Sequence, residues 1–341
     1  MDYNNLRKLF HDDKSLVYFD ARIQYLSDPR LSSFYSSIKK AKENYTLREI
    51  NEFQNKFNIS SWVIWGNDDF VKYNCKLMRD CHYSVFGVTH KDFISLFHDC
   101  NVNLIDEHNL ERCLTDSRIG FIVNSRDYAE AKNSLGDNDR ILVTFSHIVG
   151  RNGEQYFDYF KPCKCETFVD AGCLDGETSI SFIKWCNGSY DKIYAFEPNP
   201  NMISTCIQRL SPYDDKIQFY PFAVWESDAE QAFDNKRSKW DARISSNGNI
   251  IVCCRSLDSV IGQNKVTFMK FDVEGSELKA LYGAAKIIKQ YKPRMAVSVY
   301  HNATDLFEIV LFLKEIVSDY KFALRHYHSD CIETILYVYR N

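Results

Sequence analysis

Three acids stand at the ends of apolar runs in the later half of the chain: Asp170 after Phe168-Val169, Glu197 after Ile193-Tyr-Ala-Phe196, and Asp272 after Phe268-Met-Lys-Phe271. In wound α/β sheets, ligands sit beyond the carboxyl ends of the strands. All three acids therefore fall where a ligand would. Asp170 opens Asp170-Ala-Gly-Cys-Leu-Asp-Gly-Glu-Thr178, a turn with glycines at 172 and 176 that leads into an amphipathic helix. Such glycines let backbone approach a ligand, and the free N–H groups of the first helical turn point at it. A dinucleotide loop needs a third glycine against its pyrophosphate. Here Asp170, Asp175 and Glu177 make the loop anionic, which repels phosphate and suits a cationic ligand such as S-adenosylmethionine (SAM). Glu197, in Glu197-Pro-Asn-Pro200, is placed to accept both hydroxyls of a ribose, at a spacing somewhat beyond the roughly 20 residues of dinucleotide folds.

A second set lies over the next two strand ends. Asp272 and Glu274 follow one strand and Tyr300-His301 the next, so they converge across the pocket mouth. His301 is the candidate general base, because an ordinary pKa of about 6.5 suits proton removal near neutrality; its alternative is a bridge between backbone groups. Asp272 has three roles open: orienting that base, touching the cofactor, or holding a divalent cation with Glu274. Two carboxylates without a third ligand leave the metal unassigned. Glu277 is expected to serve the first turn of the following helix. Arg325-His-Tyr-His328 and Glu333 line either the acceptor side or a polar hairpin face.

The elements that must position these residues follow from periodicity. Strands are expected at 167–170, 192–196, 216–222, 265–271 and 294–299, with helices at 178–186, 200–210, 276–290 (interrupted near Gly283) and 304–318. Residues 229–234 and 249–254 read as an inserted hairpin, and 320–327 with 331–339 as an antiparallel finish to the sheet. Upstream, strands at 62–65, 84–88, 118–123 and 140–145 alternate with helices at 72–80, 92–100 and 126–133. That alternation predicts a smaller Rossmann-like α/β domain. Its turn Gly66-Asn-Asp-Asp69 carries one glycine and two acids, so a structural or substrate-recognition role is favoured over a nucleotide site. Residues 1–58 place Leu6, Phe10, Leu16, Phe19, Ile38, Leu47, Ile50, Phe53 and Phe57 at helical spacing, predicting three or four helices broken near Asp28-Pro29 and Asn44. Residues 146–165 read as a connection. The expected division is a helical segment at 1–58, a small α/β domain at 59–150 and a larger domain at 163–341.

Composition narrows the function class. Forty-two basic against 46 acidic residues give a net charge of −4, so no broad cationic surface is offered to nucleic acid. The polar start Met1-Asp-Tyr-Asn-Asn and the absence of any apolar run of about 20 residues predict no signal peptide and no membrane span. Twelve dispersed cysteines without zinc or redox spacing read as free thiols of a cytoplasmic protein.

Val169 to Thr178, Ala195 to Pro200, Phe222-Ala-Val224, Ser256-Leu-Asp258, Met269 to Glu277 and Tyr300-His301 together resemble the FkbM-type family of SAM-dependent methyltransferases, over residues 165–340. The resemblance implies a class I methyltransferase fold, a doubly wound α/β sheet with an antiparallel last strand, and methyl transfer to an oxygen of a sugar or a secondary metabolite. Carried onto this chain, Gly172 and Gly176 admit the methionine portion of SAM, and Asp170, Asp175 and Thr178 meet its ammonium and carboxylate. Glu197 takes the ribose, Ala223 lies beside adenine, and Ala171, Pro198 and Asn199 complete the cofactor set. Cys173 and Leu174 depart from the family pattern. The implied partner is a small-molecule or glycan acceptor, with homo-oligomerisation left open. Two alternatives stand beside this reading: a methyltransferase-like domain that has lost chemistry and binds a glycan or partner, and an NAD-dependent oxidoreductase, which the missing glycines disfavour.

Overall fold

The computed structural model describes residues 2–27, 31–66, 68–89, 105, 107–124, 128–144, 154–213, 215–236, 241–327 and 332–340. They fall into two compact units, one of residues 1–26, 150–326 and 331–341, the other of 27–149 and 327–330.

The smaller unit is built on four parallel strands, β1 (Ser61–Trp65), β2 (Val85–Thr89), β3 (Ile119–Asn124) and β4 (Ile141–Thr144), in the order β2-β1-β3-β4. Alternation along β1 sends Trp62 and Ile64 into a core with Ile50, Phe70 and Met78, and Val63 into another with Cys113, Phe121 and Ala131. Helices therefore cover both faces, as strands buried on both sides require. The helix Leu31–Phe57 runs unbroken through Asn44. Asparagine costs a helix interior only about 0.7 kcal/mol, too little to end one whose apolar stripe is buried. The break expected at Asp28-Pro29 and the helix expected at 92–100 lie outside the described residues.

In the larger unit seven strands form one sheet: β5 (Glu166–Ala171), β6 (Tyr190–Phe196), β7 (Ile217–Tyr220), β12 (Phe268–Phe271), β13 (Arg294–Ser298), β14 (Lys321–His326) and β15 (Thr334–Tyr339), where β8 to β11 belong to a side sheet described below. The order is β14-β15-β13-β12-β5-β6-β7, parallel except for β15, which runs antiparallel to both neighbours. This is the doubly wound arrangement with an antiparallel last strand that the resemblance implied. The helices Glu177–Trp185, Pro200–Leu210, Glu277–Tyr282, Ala285–Tyr291 and Asp305–Ile316 connect these strands. Among the described residues no helix is long and apolar enough to cross a membrane.

Two boundaries differ from expectation for packing reasons, and the helix break expected near Gly283 is found. The run expected at 216–222 ends early, at Tyr220, as β7, because the chain then leaves the main sheet and β8 (Ala223–Val224) pairs with β11 (Ile250–Arg255). With β9 (Ala229–Asp234) and β10 (Arg243–Ile244) these make a four-stranded side sheet in the order β10-β9-β11-β8. The helix break near Gly283 arises where a Cβ would stand 1.9 Å from the Trp225 carbonyl oxygen. Residues 154–160, read as connection, are core: Phe157 is buried among Phe168, Phe182, Trp185 and Phe268.

The grouping of residues 1–58 as one segment is also not what is found. Residues 1–26 join the larger unit, where Phe19 packs on Phe10 and Phe307 with ring centroids 5.3 and 5.5 Å apart. Helical periodicity identifies a buried face but not which core it covers.

Candidate active site

Strand order reverses between β5 and β12, so their carboxyl ends flank the crevice where such sheets hold ligands. Parallel register sets Lys270 directly beside Asp170. Both are fully buried; Lys270 Nζ stands 3.3 Å from Asp170 Oδ1 without hydrogen-bond alignment, and Ser179 Oγ donates to Asp170 Oδ2 at 2.8 Å. The ammonium also donates to the carbonyls of Ala171 (3.3 Å) and Gly172 (2.5 Å). Burial lowers the Lys270 pKa, but Asp170 and Asp272 outweigh it and raise it overall. Asp170 was expected to meet the cofactor's ammonium. It is instead an inward pin between strand and loop, because a buried carboxylate needs a partner and Lys270 supplies it.

Both loop glycines adopt left-handed backbone, with φ +81° at Gly172 and +84° at Gly176. A Cβ on Gly172 would lie 1.8 Å from the Asp272 carbonyl oxygen, and one on Gly176 within 3.2–3.4 Å of Leu210 and Cys206. The glycines thus answer to protein packing before any ligand is considered. The loop is also less anionic than its sequence: Arg209 lies 2.9 Å from Asp175 and 3.1 Å from Glu177. Thr178 is half-buried in the first turn of the helix that follows, and Ala171 is fully buried.

Glu197 ends β6, 6% exposed, and Leu174 and Asn199 donate their backbone N–H groups to it at 3.0 and 2.8 Å. Leu174 makes its bond from a left-handed conformation, φ +51°. Burial pushes Glu197 up to about 7, against the pull of those two bonds. Pro198 and Asn199 follow, and Asn199 caps the helix Pro200–Leu210 by accepting from Asn201 N at 3.1 Å. Ala223 is not brought to this point; it packs with Phe233, Val252 and Cys254 of the side sheet.

On the other side of the crevice, Asp272 accepts from Tyr156 Oη at 2.5 Å and from Tyr300 Oη at 3.4 Å. Glu274 and Gly275 (φ +54° and +95°) reverse the chain, and Glu277 reaches back to accept from Val273 N at 2.9 Å and Gly275 N at 3.1 Å. Glu277 therefore pins the turn that carries Asp272 and Glu274, a larger part than the helix start expected of it. His301 stands among all three acids, 2.9 Å from Glu277, 3.3 Å from Glu274 and 3.7 Å from Asp272. Burial lowers its pKa, but Glu277, Glu274 and Asp272 overcome this and raise it to about 11. The ring is thus cationic at neutral pH, and the base of ordinary pKa expected from sequence is not what these neighbours make. Burial also raises Glu274, with Asp272 adding to it and His301 opposing. Glu333, at φ +60°, accepts from Gln155 Nε2 at 3.0 Å and is pushed up to about 7, chiefly by burial. His328 lies outside the described residues.

Residues 170–322 match the family model described as the methyltransferase FkbM domain. They carry a methyltransferase domain of the FkbM type. Among solved structures, the chain is similar to methyltransferase FkbM from Methylobacillus flagellatus KT, at 17% identity and TM-score 0.47, covering 99% of each chain. It is also similar to precorrin-6y C5,15-methyltransferase from Geobacter metallireducens GS-15, at 10% identity and TM-score 0.35, over 60% of this chain and 95% of that one. A third is Aeropyrum pernix fibrillarin with natively bound SAM, at 10% identity and TM-score 0.34, over 53% and 69%. No curated protein matches the chain.

In the larger unit, sequence reasoning missed Lys270, Arg209, Gln155 and Tyr156. Lys270 had a signal, a charge inside the apolar strand Phe268-Met-Lys-Phe271 that sheet burial obliges to find a partner. Tyr156 had none, since its segment carries no period and its partner lies more than a hundred residues away.

Proposed function

We propose that this domain transfers the methyl group of SAM to a hydroxyl of a carbohydrate or related small-molecule acceptor. The observation that carries the reading is the pairing, across one strand-order reversal, of a buried ribose-type acid, Glu197, with an acidic, tyrosine-flanked rim at Asp272 and Glu274. In the reading, the backbone at Gly172, Gly176 and Thr178 receives the methionine end of SAM, and Glu197 accepts its ribose hydroxyls, with Pro198 and Asn199 beside it. Transfer is an in-line displacement, so alignment supplies most of the rate. The acceptor oxygen bonds to the methyl carbon as the carbon–sulfur bond breaks, its proton passes to the Asp272–Glu274 pair, and S-adenosylhomocysteine leaves. His301, facing those carboxylates, balances their charge. A cytoplasmic location belongs to the same proposal, supported by the dispersed cysteines.

The test is SAM labelled in its methyl group, offered with separate panels of sugars, glycolipids and polyketide alcohols. Base-stable label on a sugar hydroxyl is expected. Label that base releases as methanol, or that enters only non-carbohydrate acceptors, would overturn the acceptor class.

A further inference from the structure

His301, beyond the end of β13, sits among carboxylates that come from the end of β12 and a helix start, yet neither ring nitrogen aims an N–H bond at any of them. Atoms of Asp272, Glu277 and His301 able to bind a metal all lie within 4.8 Å of one another. Bonds of about 2.1 Å to one ion put neighbouring donors about 3 Å apart and opposed ones about 4.2 Å apart, so the cluster is close to the size a single ion needs.

The donors are also held in place. Glu277 is fully buried and fixed by the N–H groups of Val273 and Gly275, Tyr156 holds Asp272, and Asn302 Nδ2 donates to Gly275 O at 3.0 Å, tying the two loops together. Such outer contacts keep ligands oriented before the ion arrives. Three carboxylates face a single ring, and a divalent ion brings twice the charge of a proton to the same place. We propose that Asp272, Glu277 and His301 form a divalent-cation site, with Glu274 at its edge. Two carboxylate oxygens and one imidazole nitrogen suit a Mn²⁺-type ion better than a thiolate-seeking one. Its part in catalysis rests on the methyl-transfer reading: an acceptor hydroxyl bound to the ion yields its proton to Glu274 more readily. Binding of the ion rests only on the cluster.

The experiment titrates Mn²⁺ alone into the full chain without SAM and follows the paramagnetic resonance of the free ion; SAM affinity is measured separately, so either reading can fail alone. One saturable ion per chain is expected, weakened at least tenfold by Asp272→Asn and by His301→Asn, and unchanged by Glu226→Gln on the exposed pair with Lys279. Should those two variants misfold by circular dichroism, the wild-type spectrum decides: nitrogen coupling from one imidazole supports the site. Absence of saturable binding, binding indifferent to both substitutions, or a bound ion without nitrogen coupling overturns it.

Discussion

Alanine at Gly172 and at Gly176 should separate two kinds of glycine in one loop. Both positions require left-handed backbone, which costs a residue with a Cβ roughly 1–2 kcal/mol. At Gly176 the new methyl meets the movable end of Leu210 at 3.2 Å, so the loss should stay near that strain alone. At Gly172 it meets the backbone oxygen of Asp272 at 1.8 Å, and the loop or the end of β12 must move by more than an ångström. That movement breaks the Asp272 N to Ala171 O bond (3.1 Å) and the Lys270 bond to Gly172 O. Each broken bond adds about 1 kcal/mol, and more where it leaves a buried ammonium short of partners. The expected loss is about 4 kcal/mol or more for Gly172→Ala against about 1–2 for Gly176→Ala, with SAM binding abolished only in the first. Urea denaturation followed by tryptophan fluorescence, with a SAM titration of each variant, measures both. Equal losses in the two variants would refute the packing argument.

Three further outcomes follow from named contacts. Because burial raises Glu197 to about 7 from an ordinary 4.5, its protonated form is favoured in the folded state: its contribution to stability is fully present below about pH 4.5 and is lost as pH rises through 7. SAM affinity should run the opposite way, about tenfold tighter at pH 8.5 than at 5.5, since ribose hydroxyls bond more strongly to the carboxylate; calorimetry at the two pH values checks this. Lys270→Met strands Asp170 and should cost about 3–5 kcal/mol, with much of the loss restored by adding Asp170→Asn, read from chemical denaturation of single and double variants. Phe19→Ala should lower the larger unit's stability by about 3–5 kcal/mol, and an unchanged melting curve would show that residues 1–26 do not belong to its core.

Periodicity and strand-end acids made the seven-stranded sheet legible, and with it the positions of Asp170, Glu197, Asp272 and His301. Orientation was not legible. Asp170 turns inward because of Lys270, and that pairing depends on the register between β5 and β12, which no local pattern carries. His301 illustrates the same limit: its residue type suggested a base of ordinary pKa, but three acids of one short stretch, Asp272, Glu274 and Glu277, meet it across the crevice and raise its pKa. Ala223 followed the sequence motif while the chain at that point left for the side sheet. The loop's charge was overestimated because Arg209, one helix later, returns to Asp175 and Glu177.

The most direct measurement titrates SAM calorimetrically into the wild type and into Glu197→Ala at pH 8. The account predicts one saturable site in the wild type and at least tenfold weaker binding in the variant. Equal affinity in both proteins, or no binding to the wild type at millimolar SAM, would contradict it.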